Sequence, residues 1–410
     1  MRRVAITGVG AICPLGTSAS QVFENARQGV SGIHRLDVPF AGRLVSPIVG
    51  SARFNGADHF APSKLRMLDR VSQFALVAAK ETLADAQWGP DSNDVSRSGV
   101  FVGTGMGGAH TVDDGYQILY GEESDRIKPF TVLMGMYNAP AAWISIEYGL
   151  RGPCLTYSTA CASSAVAIGE GWSRVARGEL DFAIAGGAEA PLSCGSLKAW
   201  EALHTIATID GEDPAASCKP FSRNRSGMVL AEGAAMILLE PLEYAVARGA
   251  MIYGEVIGYG LATDIGHVTR PSVEGQAAAM RNALFAAQID RSEVDTINAH
   301  GTGTSANDST ETAAVKEVFG GRAYRIPISA TKSVHGHLLG AAGALECVLS
   351  LLAMRQGTLL PTMHLKSADP QCDLDYVPNA AREGQSTRIM LSNSFAFGGT
   401  NAVLVLKSFE

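Results

Sequence analysis

Cys161 lies in the run Tyr157-Ser158-Thr159-Ala160-Cys161-Ala162-Ser163-Ser164, and two distant segments each set histidine beside glycine: Asn298-Ala299-His300-Gly301-Thr302-Gly303-Thr304 and Lys332-Ser333-Val334-His335-Gly336-His337. A thiol at the mouth of a helix can become a thiolate under the positive end of the helix dipole. Two imidazoles that donate to one oxygen can hold an enolate or oxyanion. A sulfur nucleophile with two such donors meets the needs of carbon-carbon bond formation on thioesters. The plain alternatives are a buried cysteine acting as a small hydrophobe and a histidine hydrogen-bonded in the core. Small residues flank Cys161 on both sides, and a helix is expected directly after it, ending near Arg174 and Arg177, where positive charge suits the terminus. The other six cysteines lack that setting and read as packing residues. His300 and His337 each follow a strand-like segment, which puts both side chains at strand ends above a pocket. Lys332, five residues before His337, can set the field or protonation of a histidine. Asp308, Glu311 and Glu346 read as helix-face or supporting groups; with no H-E-x-x-H and no dense Cys/His cluster, no metal is expected.

The elements that must position these groups alternate. Apolar strand-like runs at 4–7, 99–102, 182–185, 234–239, 252–257, 294–298, 326–329, 389–392 and 402–406 are interleaved with helical stretches at 64–86, 162–177, 275–287, 309–319 and 340–356, several stopping at a glycine. The pattern predicts an α/β fold. With 410 residues, 46% hydrophobic and 18% charged, the chain exceeds one ordinary core, and two fused lobes are expected with a junction near 242–250. The strand, glycine turn and helix theme of both parts suits a duplicated lobe. The 45 glycines point to tight turns and close backbone approaches near a site.

A formal charge of -7 without a long Lys/Arg block gives no footprint for nucleic acid or an anionic membrane. The seven cysteines show no C-x-x-C spacing and an odd total, so neither a disulfide framework nor a zinc knuckle is expected. Gly8, Gly10 and Pro14 interrupt the apolar start, against an export signal, and no apolar run approaches the roughly 20 residues of a membrane helix. A soluble, cytoplasmic protein is expected. Gly103-Thr104-Gly105-Met106-Gly107-Gly108 matches G-x-G-x-x-G after a strand, yet no amphipathic helix is evident over 110–114, and Gly8-Val9-Gly10 lacks its third glycine. Neither supports NAD or FAD binding; glycines that let strands meet tightly at a pocket are the reading preferred.

Four stretches taken together closely resemble one family: Val4-Ala5-Ile6-Thr7-Gly8-Val9-Gly10, Ser158-Thr159-Ala160-Cys161-Ala162-Ser163-Ser164, Pro220-Phe221-Ser222-Arg223-Asn224-Arg225-Ser226-Gly227 and Asn393-Ser394-Phe395-Ala396-Phe397-Gly398-Gly399-Thr400-Asn401. The family is the β-ketoacyl-acyl carrier protein synthases of the thiolase superfamily, nearest the type II condensing enzymes, and the likeness spans essentially the whole chain. It implies a thiolase-like five-layer αβαβα fold from two related halves, residues 1–245 carrying the cysteine and 246–410 the two histidines, and a homodimer. It implies decarboxylative Claisen condensation of an acyl-enzyme thioester with malonyl-acyl carrier protein in fatty acid elongation, without a cofactor. Cys161 then matches the acyl-accepting nucleophile, His300 and His337 the pair that supports malonyl decarboxylation, Lys332 the family's lysine near the site and Glu346 its acidic support. The backbone amides of Cys161 and Phe397 match the oxyanion hole. Phe397 also matches the gating aromatic, Met106 a residue of the acyl pocket, and Thr302 and Thr304 the threonines that contact the pantetheine arm.

Two positions depart from the pattern. His335 stands where many relatives have Thr, adding a third imidazole, and Ile209 stands where a basic residue often grips the carrier, which leaves Lys64, Arg66, Arg126 and Lys128 as candidate contacts to an acidic carrier protein. A biosynthetic thiolase would need a second cysteine within 395–401, and the type III synthases use Asn where His337 stands. A non-catalytic chain-length partner would lack Cys161. The same condensation in a specialised pathway, such as polyketide, aryl polyene or lipooligosaccharide acyl-chain assembly, is the alternative that remains.

Overall fold

The computed structural model describes residues 1–89 and 95–409. Ten strands build its main sheet: β1 (Val4–Ile12), β2 (Ser98–Gly103), β3 (Cys154–Tyr157), β4 (Phe182–Glu189), β5 (Gly233–Pro241), β6 (Gly254–Thr263), β7 (Thr296–Asn298), β8 (Ile328–Ser329), β9 (Ile389–Phe395) and β10 (Thr400–Lys407). Their order is β8-β7-β9-β10-β6-β1-β5-β4-β2-β3. The first five strands run β3-β2-β4-β5-β1 and the last five β8-β7-β9-β10-β6. In each set the two outer pairings are parallel and the two inner ones antiparallel, so the same topology occurs twice. The sets join only where Val4, Ala5 and Ile6 pair with Val256, Glu255 and Gly254.

Every residue of β1, β2, β4, β5 and β9 is buried, which explains why apolar residues and glycine make up most of these strands instead of alternating with charged ones. Helices α1 (Arg70–Asp85) and α2 (Ala139–Tyr148) cover one outer face. The other is covered by α4 (Val273–Ala287) and α5 (Ser305–Phe319). Between the two sets of strands lie α3 (Ser163–Ala176) and α6 (Ala342–Gln356), packed on each other and on both sheets. Five layers result, as the resemblance implies. A helix buried on all sides is expected to be apolar nearly all round, and α6 is so except at Glu346 and Ser350: Leu339–Gln356 has the length and composition of a membrane span, yet 89% of that window is buried inside the protein.

Two local expectations fail. The helix expected over 64–86 breaks into Pro62–Leu65 and α1, because Asp69 turns its carboxylate onto Val71 N as an N-cap while also accepting from Thr111 N and Oγ1. The segment after the glycine-rich turn does form a short helix, Ala109–Tyr116. The edge strand β3, with Leu155 exposed, was not anticipated, since it carries no apolar alternation.

Candidate active site

Cys161 and His300 stand where a strand gives way to a helix, whereas His337 follows the short helix Lys332–His335 and not the expected strand end, Phe397 lies between β9 and β10, and Glu346 lies within α6. Residues 160–162 form a 3-10 turn that leads directly into α3, as the small residues after Cys161 predict. Ala160 sits at φ 48°, a left-handed conformation costly for a side chain with a Cβ. Ser163 holds the turn by accepting from Thr159 N at 2.9 Å and donating to Ala160 O at 2.6 Å. Glycine at 103 lets α3 sit against β2: a Cβ there would lie 2.2 Å from Ser164 N.

His300 follows β7. Glu311 on α5 accepts from His300 N at 2.8 Å and Gly301 N at 2.9 Å, and also from Asn393 Nδ2 at 3.1 Å. His337 is fixed by a bridge to Leu230, its N–H donating to Val229 O and its carbonyl accepting from Ala231 N. One ring nitrogen from each histidine and Cys161 Sγ lie within 4.8 Å of one another, all three residues buried. The two rings meet edge to face at 5.4 Å.

The hydrogen bonds fix how both imidazoles carry their proton. His337 Nδ1 accepts from Leu339 N at 3.2 Å, so its proton is on Nε2, which is buried without a partner among the described residues. Lys332 is wholly buried; its Nζ donates to Glu346 Oε1 at 2.5 Å, to His300 O at 2.6 Å and toward His300 Nδ1 at 3.4 Å. That contact makes His300 Nδ1 an acceptor and leaves Nε2 as its N–H. Burial, the Lys332 charge and the neighbouring ring hold the pKa of His300 well below the ordinary value. Burial, Lys332 and the nearby His335 do the same to His337. Both rings are neutral donors at neutral pH. The donor set Cys161, His300 and His337 also has the spacing for a metal ion, but the Lys332 ammonium beside His300 opposes a divalent cation there and suits a developing anion.

Cys161 differs from the thiolate expected of it. Burial pushes the thiol up to about 11, against the Lys332 field and the N–H groups of Phe397 and Cys161 that are directed at the sulfur. Desolvation outweighs the favourable dipole. Glu346 is likewise pushed up to about 7 by burial, with Lys332 acting in the opposite sense.

A cavity of about 160 Å³ opens onto the trio, its walls including Thr302, Thr304, Phe395, Phe397 and Asn401. Thr302 Oγ1 and Thr304 Oγ1 lie 2.8 Å apart, and Thr304 caps α5. Met106 does not line this cavity. It packs behind Cys161 in an apolar cluster with Leu197, Trp200 and Leu339. Trp200 stacks on Phe397 at 6.1 Å and donates Nε1–H to Met106 Sδ at 3.4 Å, which links Phe397 on the cavity wall to that cluster.

His335 is buried, donates or accepts through Nε2 with Thr331 Oγ1 at 3.0 Å, and does not line the cavity; burial takes its pKa down to about 3, so the third imidazole adds no charge. Ile209 packs with Ile33, Ile48 and Val229 instead of facing a partner. Lys64 is ion-paired to Glu147 and Lys128 lies 3.9 Å from Asp114, while Arg66 and Arg126 are exposed. Sequence reading missed Glu189, a buried carboxylate that binds the amides of Gly105 and Met106; this is the use of the G-x-G-x-x-G turn, whose N–H groups face a protein carboxylate and not a phosphate. A Glu at the end of a strand, followed by Ala and Pro, carries no local signal for that role.

Residues 1–245 match the family of the β-ketoacyl synthase N-terminal domain, and residues 253–366 that of the β-ketoacyl synthase C-terminal domain. The chain is 40% identical over 415 residues to 3-oxoacyl-[acyl-carrier-protein] synthase 2 of Staphylococcus aureus (strain COL), covering 100% of this chain and 99% of that protein. It is 42% identical over 407 residues to nodulation protein E of Rhizobium leguminosarum bv. trifolii, covering 99% of each. A solved complex of a type II PKS acyl-carrier protein with its ketosynthase bound to the hexaketide contains a chain that superposes with a TM-score of 0.93 at 32% identity, over 100% of both chains. The protein belongs to the β-ketoacyl synthase family of condensing acyltransferases.

Proposed function

We propose that this protein is a β-ketoacyl-acyl carrier protein synthase that lengthens acyl chains in fatty acid synthesis by a ping-pong, decarboxylative Claisen condensation. The Staphylococcus relative is named for that carrier-bound substrate, and the PKS complex pairs a ketosynthase with its carrier. In the first half-reaction Cys161 sulfur attacks the carbonyl of an acyl-carrier thioester. The amides of Cys161 and Phe397 receive the oxyanion, the carrier thiol leaves with the proton lost by Cys161, and the free carrier departs. Because burial keeps the thiol protonated at neutral pH, attack and deprotonation proceed together, with Lys332 supporting the charge on sulfur.

Malonyl-carrier then enters, its arm along Thr302 and Thr304. The two Nε2–H groups of His300 and His337 donate to the malonyl thioester oxygen as carbon dioxide leaves. The resulting enolate carbon attacks the acyl group on Cys161, and collapse of the tetrahedral adduct expels Cys161 thiolate, which takes a proton to restore the thiol. The product is a β-ketoacyl-carrier two carbons longer. Lys332 holds His300 in the donating tautomer and Glu346 holds Lys332; Phe397 acts as the gate and Met106 as part of the acyl pocket behind it. We assign the cysteine to a half of residues 1–245 and the histidines to one of residues 246–410, the protein acting as a cytoplasmic homodimer. The exposed Ile146 on α2, a helix that packs beside the edge strand β3, favours a second copy there.

One observation carries the reading: a buried, unpartnered His337 Nε2–H beside Cys161, its tautomer set by the Leu339 amide. Replacing His300 or His337 by Ala removes one donor to the enolate, a loss on the order of 3 kcal/mol or about 100-fold in rate. Carbon dioxide release from malonyl-carrier is the measurement; near-normal release would contradict the assigned roles. The similarity to nodulation protein E favours a second reading in which the same condensation serves a specialised acyl chain. Mass spectrometry of acyl-Cys161 after incubation with carriers of graded length separates the two.

A further inference from the structure

Glu189 ends β4 wholly buried, and no cation pairs with it among the described residues. Its carboxylate is satisfied by four donors instead. Oε2 accepts from Gly105 N at 2.6 Å and Gly340 N at 2.9 Å; Oε1 accepts from Met106 N at 3.0 Å and Thr104 Oγ1 at 3.1 Å. A carboxylate taking several N–H donors at once is a strong, directional fixing point. The two segments it joins touch backbone to backbone, for a Cβ on Gly340 would lie 2.3 Å from Gly105 N and 2.7 Å from Glu189 Oε2.

Both segments border the apolar cluster around Cys161, one through Met106 and the other through Leu339. Thr104 to Met106 brings Met106 into the apolar cluster around Cys161. Gly340 follows Leu339, which is held at φ 45° and whose N–H fixes the His337 tautomer. Freed from Glu189, Gly340 N has no other side-chain acceptor among the described residues, and the strained Leu339 would relax toward an ordinary conformation. Glu189 touches no reacting atom, but it ties the wall behind the nucleophile to the turn that orients one of the two donors.

We propose that Glu189 is a positioning residue that couples the two half-reactions, setting the acyl-pocket wall through Gly105 and Met106 and the donating tautomer of His337 through Gly340 and Leu339. This inference rests on the condensation reading above. Glu189→Gln keeps the shape but replaces one acceptor oxygen by an NH₂ that faces N–H donors, so one oxygen's pair of contacts is lost. Decarboxylation of malonyl-carrier should then fall on the order of tenfold in kcat with little change in KM, within the roughly 100-fold that a 1 Å misplacement can cost. Acyl uptake by Cys161 should in addition shift its chain-length profile. A residue that only holds the fold would lower both half-reactions by one common factor, with the length profile and the pH profile unchanged.

Thr104→Val supplies the second arm, because it removes one donor to Glu189 and the acceptor of Gly107 N, both on the Met106 side, and leaves the carboxylate in place. It should shift the chain-length profile and spare carbon dioxide release to within about twofold. If Glu189→Gln does not fold, this variant alone decides, and an unchanged length profile overturns the proposal. Equal loss of both half-reactions in a folded Glu189→Gln protein also overturns it. A wild-type protein that releases no carbon dioxide from malonyl-carrier would instead refute the condensation reading itself, so the two failures are distinguishable.

Discussion

Lys332 and Glu346 bury two opposite charges side by side, and the pair is needed more for geometry than for stability. Breaking such a pair leaves one charge uncompensated, which costs about 3–5 kcal/mol. Lys332→Ala should therefore lower the urea midpoint sharply, whereas the double variant Lys332→Met, Glu346→Leu should recover much of the stability without activity. Recovery of condensation in the double variant would contradict the tautomer role given to Lys332. The thiol makes a pH-dependent prediction: with its pKa pushed up to about 11, alkylation of Cys161 by iodoacetamide should keep rising through pH 10, and a plateau below pH 8 would refute the dominance of burial. Glu189 is pushed up to about 7 by burial, against an ordinary value of 4.5. Its folded pKa exceeds its unfolded one, so its contribution is fully present below about pH 4.5 and is lost as pH rises through about 7. Glu189→Gln should flatten the stability profile across that window, which thermal melts at stepped pH would register. At this scale the convergence of Cys161, His300 and His337 was legible, because each sits in a short run of small residues. Glu311 was legible as a helix-face or supporting group; Glu189 was not, because a carboxylate whose partners Gly105 and Met106 lie far along the chain leaves no trace in its own neighbourhood.

At the scale of elements, the contact of α3 with β2 decides where Cys161 stands. Gly103→Ala would drive a methyl group into Ser163 and Ser164, the first residues of the helix. Overpacking of a tight core costs about 1–3 kcal/mol, and here it also pushes on the turn that carries the thiol. A fall in melting temperature should accompany slower acylation; a lower melting temperature with acylation unchanged would show that the turn moves independently of the helix. The strands and helices flanking the site were readable from apolar runs that end at glycine. The break before α1 was not, because Asp69 reads as one more polar residue in a helical stretch until Thr111 arrives to share its carboxylate. The short helix after the glycine turn escaped for a related reason: Ala109–Tyr116 is stabilised by neighbours and not by an apolar stripe of its own.

For the whole molecule, the exposed Ile146 beside the edge strand β3 supports the homodimer proposed above. Ile146→Glu, at a site 69% exposed, is expected to shift the sedimenting species from the proposed dimer toward monomer, and an unchanged dimer would place the interface elsewhere. The duplicated topology has a different consequence. Helix α3 is sandwiched against α6, with Gly343 close enough to Ala165 that a Cβ there would lie 3.0 Å from the Ala165 methyl, and the strand pairing of β1 is completed by β6. A ribosome delivers α3 long before it delivers α6, so the emerging polypeptide must shelter an oily helix and an unfinished strand edge until its last third is made. Released alone, the first 245 residues should aggregate, and expression of both pieces together should rescue them.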